Sequence, residues 1–166
     1  AFDQALHAAV DIGIARAALE DGARFVTTRS RPWFEAGVDN AGDEPHVVRR
    51  IGELTARLYA LEALLAKGAR LVDEALAAPE LTREAAAEAS LKVAAAKALA
   101  QEFAVEIASG IFELTGTSAT DRDLVLDRHW RNVRVHSLHD PARWKYVHLG
   151  NHTLRGTLPP RLGVLL

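Results

Sequence analysis

Residues 126–150 read LDRHWRNVRVHSLHDPARWKYVHLG. This stretch holds four of the seven histidines and two of the three tryptophans, and it is dense in arginine. Its punctuation is helical. Asp140-Pro141 is a start signal, because a short acidic side chain can cap a helix and proline has no N–H to lose in the first turn. The signal divides the stretch into a short helix from Leu124 to about Arg134, a connector Val135–His139, and a last helix from Asp140-Pro141 to about Leu154. Asp121 or Asp123 is the expected cap of the short helix. Leu158–Leu166 reads as a tail.

Working outward, Gly116-Thr117-Ser118-Ala119-Thr120 breaks a long helix that starts at its expected cap, Thr82, and ends near Leu114. Leu91, Ala95, Leu99, Phe103, Ile107 and Leu114 recur along it at helical spacing, and its many alanines suit close helix approach. Ala78-Pro79-Glu80 separates it from a helix over Pro45–Ala77, with Pro45 suited to the first turn. Ile51, Leu54, Leu58, Leu61, Leu65, Val72 and Leu76 form the apolar side of that helix. A short turn between two helices of this length predicts an antiparallel pair. Residues 2 to about 28 form a first helix, with Phe2, Leu6, Ala9/Val10, Gly13, Ala17, Ala18 and Phe25 as its expected buried stripe. It ends before Pro32, and Val38–Glu44 is a loop. No alternating β pattern occurs. The fold class predicted is all-α, an up-and-down helical bundle over 1–166.

The totals narrow the function classes. A chain of 166 residues can form one domain with a sizeable core. A formal charge of −2 lacks the basic excess of a nucleic-acid binder. No apolar run approaches the ~20 residues that span a bilayer. The absence of cysteine excludes disulfides and thiolate chemistry and fits a cytoplasmic location. Methionine is absent too, even at position 1, and the first residues read as mid-helix. The expectation is a piece of a longer protein.

Two places carry candidate chemistry. Arg29-Ser30-Arg31-Pro32-Trp33 is a basic-aromatic corner at a helix end. It fits cations at the negative helix terminus with Trp33 packed on the body. It equally fits an anion site, most simply for phosphate, since arginine offers a fork of donors. The GTSAT break, with Thr117 and Ser118, has small residues that leave backbone N–H groups accessible to a phosphate. The second place is the histidine stretch. His136, His139, His148 and His152 invite comparison with zinc sites, which need three or four ligands, but no H-E-x-x-H and no cysteine accompanies them, and no metal is expected. An ordinary polar helix junction and acid–base or hydrogen-bonding work at a bound cofactor both remain open for His136 and His139.

The order of these features, TRSRPW, an antiparallel helix pair, GTSAT, then DRHWRN-x-R-x-H-S-L-H-D-P, resembles the C-terminal helical domain of the acyl-CoA dehydrogenase superfamily. Within it the chain is similar to the flavin-dependent monooxygenase branch of dibenzothiophene monooxygenases and sulfur-acquisition oxidoreductases. The resemblance covers nearly all of the chain. It implies a three-domain flavoprotein of which this is the last part, assembled as a homotetramer, with reduced FMN supplied by a separate flavin reductase and FAD as the other option. It implies a flavin phosphate at Arg31 and Arg29. Thr117 and Ser118 would line the phosphate side, Ser118 standing where some relatives offer an arginine. His136 and His139 would face the flavin ring. O2 and a small organic substrate, with organosulfur compounds as one class, complete the expected reaction, and the isolated domain is expected to be inactive. Many true acyl-CoA dehydrogenases place a glutamate followed by Gly-Thr in the connector; here His139-Asp140-Pro141 stands there. Asp140 would be the base of a dehydrogenase oxidising an acyl-CoA thioester with FAD. A non-catalytic oligomerisation bundle is the third reading.

Overall fold

The computed structural model describes residues 1–160. Among them are five α-helices and no strand: α1 Phe2–Thr28, α2 Pro45–Ala77, α3 Arg83–Thr115, α4 Asp127–His136 and α5 Ala142–Arg155. Short 3-10 turns lie at Phe34–Ala36, Ala41–Asp43 and Thr117–Thr120. Local signals set most of the ends. Pro45 opens α2, and the Thr82 hydroxyl accepts from Ala85 N at 3.1 Å to cap α3. Gly116, with φ +69°, ends α3, and Gly156, with φ +66°, ends α5. No helix among the described residues is long and apolar enough to cross a membrane.

The contacts give the directions. Arg50, early in α2, pairs with Glu113, late in α3, and Gly68 meets Val93, so these helices are antiparallel. Asp11–Lys97 and Gly22–Ile111 keep a nearly constant offset, so α1 runs parallel to α3. His129 and His136 of α4 meet Asp21 and Asp11 in reverse order. Tyr146 of α5 reaches Glu102, while His152 lies near Glu84. Helices α4 and α5 therefore form one column, broken in the middle, that runs antiparallel to α3. The result is the expected up-and-down bundle, with α3 at its centre against all four other helices.

Alanine explains that central position. Ala94, Ala96, Ala98, Ala100, Ala104 and Ala108 are all fully buried, on several sides of α3. Small side chains let neighbouring backbones come close on each side. The main core gathers Ile12, Leu19, Leu54, Leu58, Leu61, Ile107, Ile111 and Val133. Its burial is the main stabilising term of the fold.

Four local expectations need correction. The stripe Phe2–Leu6–Val10 of α1 faces outward, with Phe2 60% exposed. The buried face is Ala5, Ala8, Asp11, Ile12, Ala15 and Leu19, joined by Ala18 and Phe25 of the expected stripe. Likewise α3 is buried along Val93, Lys97, Gln101 and Ala104 more fully than along Ala95 and Leu99. Helix α4 begins at Asp127, not Leu124, and neither Asp121 nor Asp123 caps it. The Asp121 carboxylate accepts from Asp123 N at 2.9 Å, closing a turn upstream. Finally, α4 runs on through His136, so the connector begins at Ser137. Residues 161–166 of the expected tail lie outside the described residues; Pro159 is buried, and its carbonyl accepts from Arg83 at 2.6 Å.

Candidate functional site

The sequence-predicted site residues fall into two constellations. The first is an open groove of about 680 Å³ between the end of α1 and the end of α3. Arg29, Ser30 and Arg31 line one side, and Gly116, Thr117 and Ser118 the other. All four residues expected at a phosphate, Arg29, Arg31, Thr117 and Ser118, are exposed here. Both carboxylates in the groove have partners: Glu44 accepts from Trp33 N, in the groove itself, at 2.6 Å, and Glu113 pairs with Arg50 at 3.0 Å. The Ser30 hydroxyl is buried and has no hydrogen-bond partner among the described residues. Trp33 is 61% exposed, so it does not pack on the body.

The second constellation sits at the break between α4 and α5. His136 Nδ1 lies 2.6 Å from Asp11 Oδ1. His136 Nε2 lies 3.0 Å from Nδ1 of His7, on α1. The His7 ring stacks on His139 with centroids 4.0 Å apart. The His136 and His139 rings are 6.2 Å apart and within 14° of parallel, with His7 against both. Three imidazoles thus meet where the column breaks. Among the described residues no group of three His, Asp or Glu side chains has metal-ligand geometry, and His148 and His152 lie on α5, outside this cluster.

A buried polar layer supports the histidines. Lys97 and Asp11 are fully buried and 2.8 Å apart. Nearby, Gln101 Nε2 donates to both the carbonyl and Oδ1 of Asp140, at 3.0 and 2.9 Å, and Lys145 Nζ lies 3.0 Å from Oδ2. The expected cap role of Asp140 is therefore wrong: Pro141 occupies the cap position with no side-chain cap, and Asp140 turns inward to bind α3 and α5. The physical reason is the buried ammonium, whose attraction exceeds that of exposed helix-end amides. Burial pushes the Asp140 carboxyl up, but the bond and charge of Lys145, with Gln101, outweigh it and hold the group below its ordinary value. Burial holds Lys145 below its ordinary value despite Asp140.

Sequence reasoning passed over Asp11, Lys97 and His7. A signal was present. Asp11 and Lys97 are opposite charges set inside otherwise apolar helix faces, where charges persist only when paired. The spacing between the constellations is just as informative. Along α1, His7 and Arg29 are separated by roughly 33 Å, at ~1.5 Å per residue. The groove and the histidine cluster of one chain do not form a single pocket.

With this geometry in place, the relatives can be compared. Residues 5–144 match the acyl-CoA dehydrogenase, C-terminal domain family. The chain is 40% identical over 157 residues to a dibenzothiophene monooxygenase of Rhodococcus erythropolis, covering 94% of this chain and 38% of the relative. It superposes on the methanesulfinate monooxygenase MsuC of Pseudomonas fluorescens with a TM-score of 0.93 at 34% identity, covering 96% of this chain and 42% of that one. The TdsC ternary complex with FMN and indole, from Paenibacillus sp. A11-2, gives a TM-score of 0.90 at 35% identity, covering 94% and 39%. The chain thus spans about two fifths of the length of these relatives. The chain belongs to the acyl-CoA dehydrogenase C-terminal domain family and is closely related to its dibenzothiophene monooxygenase members.

Proposed function

We propose that this chain is the C-terminal part of a two-component flavin-dependent monooxygenase. The whole protein would use reduced flavin and O2 to oxygenate a small organic substrate, with organosulfur compounds the favoured class. The observation that carries this reading is the groove that sets exposed Arg29 and Arg31 opposite exposed Thr117 and Ser118. Two guanidinium groups on one wall and two hydroxyls on the other suit a ligand that offers acceptor oxygens, and fit a flavin phosphate. FMN is favoured because the Paenibacillus relative holds it; FAD presents the same kind of anion.

The flavin, when bound, supplies the electrons and the oxygen chemistry. This chain's residues have simpler tasks. Arg29 and Arg31 bind and orient the phosphate end. His136, half-buried, and His139, exposed in this chain, hold or donate protons beside the reacting region. Because the two constellations are far apart in one chain, a flavin touching both takes its phosphate ligands from one copy and its histidines from another. Self-association is supported by the exposed apolar face Phe2–Leu6–Val10 of α1. A tetramer, with a separate reductase delivering reduced flavin in the cytoplasm, is the assembly we propose.

A dehydrogenase of the kind that places its base in the connector needs a free carboxylate there. The only candidate there, Asp140, is buried and committed to Gln101 and Lys145. The test is turnover of the full-length protein with a flavin reductase, using 18O2 and panels of organosulfur compounds and acyl-CoA thioesters. One labelled oxygen in an organosulfur product is expected. Reduction of bound flavin by an acyl-CoA would overturn the reading in favour of the dehydrogenase; no turnover of either panel would favour the non-catalytic bundle. Arg31→Ala is expected to weaken FMN binding about tenfold or more, the scale of one lost charge-assisted contact.

A further inference from the structure

Four side chains from three helices join end to end behind the site. Lys97 Nζ donates to Asp11 Oδ2 at 2.8 Å, deep in the core. Asp11 Oδ1 faces His136 Nδ1 at 2.6 Å. His136 Nε2 faces His7 Nδ1 at 3.0 Å, and His7 Nε2 looks out toward Asp3 Oδ2 at 3.7 Å, where Asp3 is largely exposed. The chain of contacts thus runs from a fully buried ion pair to the surface.

Elementary chemistry fixes part of the proton arrangement. A carboxylate only accepts, so the His136 nitrogen facing Asp11 carries a proton. Between His136 Nε2 and His7 Nδ1 there is room for one proton, which either ring can own. With the proton on His7, His136 is neutral. With it on His136, that ring is an imidazolium bonded to Asp11 on one side and to His7 on the other. His7 then takes its own proton at Nε2, on the solvent side. One proton enters from solvent, one passes from ring to ring, and no other bond changes.

We propose that His7 is the proton port of the histidine site, carrying protons between solvent and His136, while Asp11 and Lys97 act as positioning residues that hold His136 in the tautomer able to receive them. The groups facing this port are Asp3 and Asp11 on α1, Lys97 on α3, His136 on α4 and His139 in the connector. Burial lowers the His7 pKa, the neighbouring His139, Lys97 and His136 lower it too, and Asp3 opposes them. His7 is therefore neutral near pH 7, as a two-way carrier must be. The use of the port rests on the monooxygenase reading: with reduced flavin supplied as its anion, inserting one oxygen atom of O2 and reducing the other to water takes up one proton beyond the one the flavin brings.

The test uses the full-length protein. His7→Phe keeps an aromatic ring over His139 and removes both proton-carrying nitrogens. Product formation should fall at least about tenfold, within the range of losing an acid–base step. The solvent isotope effect should rise and FMN affinity should stay unchanged; in His7→Ala, which leaves a cavity the size of the ring, added imidazole should restore much of the rate. A parent-like rate in either variant overturns the port, and so does a slow His7→Ala that imidazole cannot rescue, because His7 would then be structural. A second readout needs no activity. Hydrogen–deuterium exchange at the His136 ring carbon, followed by mass spectrometry against pH, should move to lower pH in His7→Phe and in the charge-balanced double variant Asp11→Asn/Lys97→Met. Unmoved profiles overturn the chain of contacts. If the parent protein turns over no substrate while these profiles move, the relay stands and only the monooxygenase reading fails.

Discussion

Gln101 holds Asp140 by two hydrogen bonds from one amide nitrogen, at 3.0 Å to the carbonyl and 2.9 Å to Oδ1. This pair ties the break in the α4–α5 column to the middle of α3. It sets where the backbone turns, and so where His139, the preceding residue, is presented. The prediction is that Gln101→Ala destabilises the fold by about 1–3 kcal/mol, the scale for stranding a buried acceptor. Denaturant unfolding checks the stability. Proteolysis should show earlier cleavage near 137–141 than in the parent.

Helix contact accounts for a second prediction. A Cβ on Gly22 would lie 2.8 Å from Ile111 Cγ2 and 2.9 Å from its Cβ, atoms close to the α3 backbone that cannot swing away. Gly22→Ala should therefore destabilise by about 1–2 kcal/mol, overpacking outweighing the better helix propensity of alanine. Gly52, on the exposed side of α2, meets nothing within 4 Å. There the same change should stabilise by about 0.5–1 kcal/mol. Thermal unfolding of both variants tests the sign in each case.

Acid should find the polar layer. Asp140 lies below its ordinary pKa because Lys145 and Gln101 overcome the opposing effect of burial. Asp21 is lowered in the same way, burial being outweighed by the hydrogen bond and charge of His129 and by Arg128 and Arg24. A carboxylate with a depressed folded-state pKa contributes stability that is present above its unfolded value, near pH ~4, and is lost as pH falls through the folded value. These two carboxylates should make stability fall below pH ~4, and the lowered pKa of His7 should add a smaller loss that begins below pH ~6.5. Asp21→Asn should flatten that acid limb, as read from unfolding midpoints across pH.

His139 offers the sharpest functional outcome, in the full-length protein. It stacks on His7 and is exposed, so its removal disturbs little of the core. His139→Ala should leave FMN affinity nearly unchanged, because the Arg29–Arg31 groove is elsewhere. Product formation should drop about 10²–10³-fold, the scale for losing one preorganised donor. Oxygen consumption should then yield more free hydrogen peroxide. Parallel assays of product and peroxide decide it, and an unchanged ratio would make His139 structural.

Much of the architecture was legible in single residues. Pro45, Thr82 and Gly116 act within a few positions of the chain, so α2 and α3 were readable at both ends to within about a residue. The cap at Asp121 or Asp123 was misread because aspartate closes turns and caps helices by the same kind of hydrogen bond. The walls of the groove at the ends of α1 and α3 were legible as two separate segments, since each carries its own composition. Nothing local showed that they form opposite walls of one groove.

The sequence by itself determined the helices, their order and the antiparallel pairing of α2 with α3, because periodicity, caps and breakers are short-range effects. Only the tertiary structure decided which face of α1 is buried. The Phe2–Leu6–Val10 face is the more apolar, yet the face with Ala8, Asp11 and Ala15 goes inward. Its small side chains fit closely against the alanines of α3, and Asp11 finds Lys97, 86 positions away, as the partner that lets both charges leave water. That pairing depends on two helices meeting in one register, and with it comes the support behind His136 that no local pattern encodes.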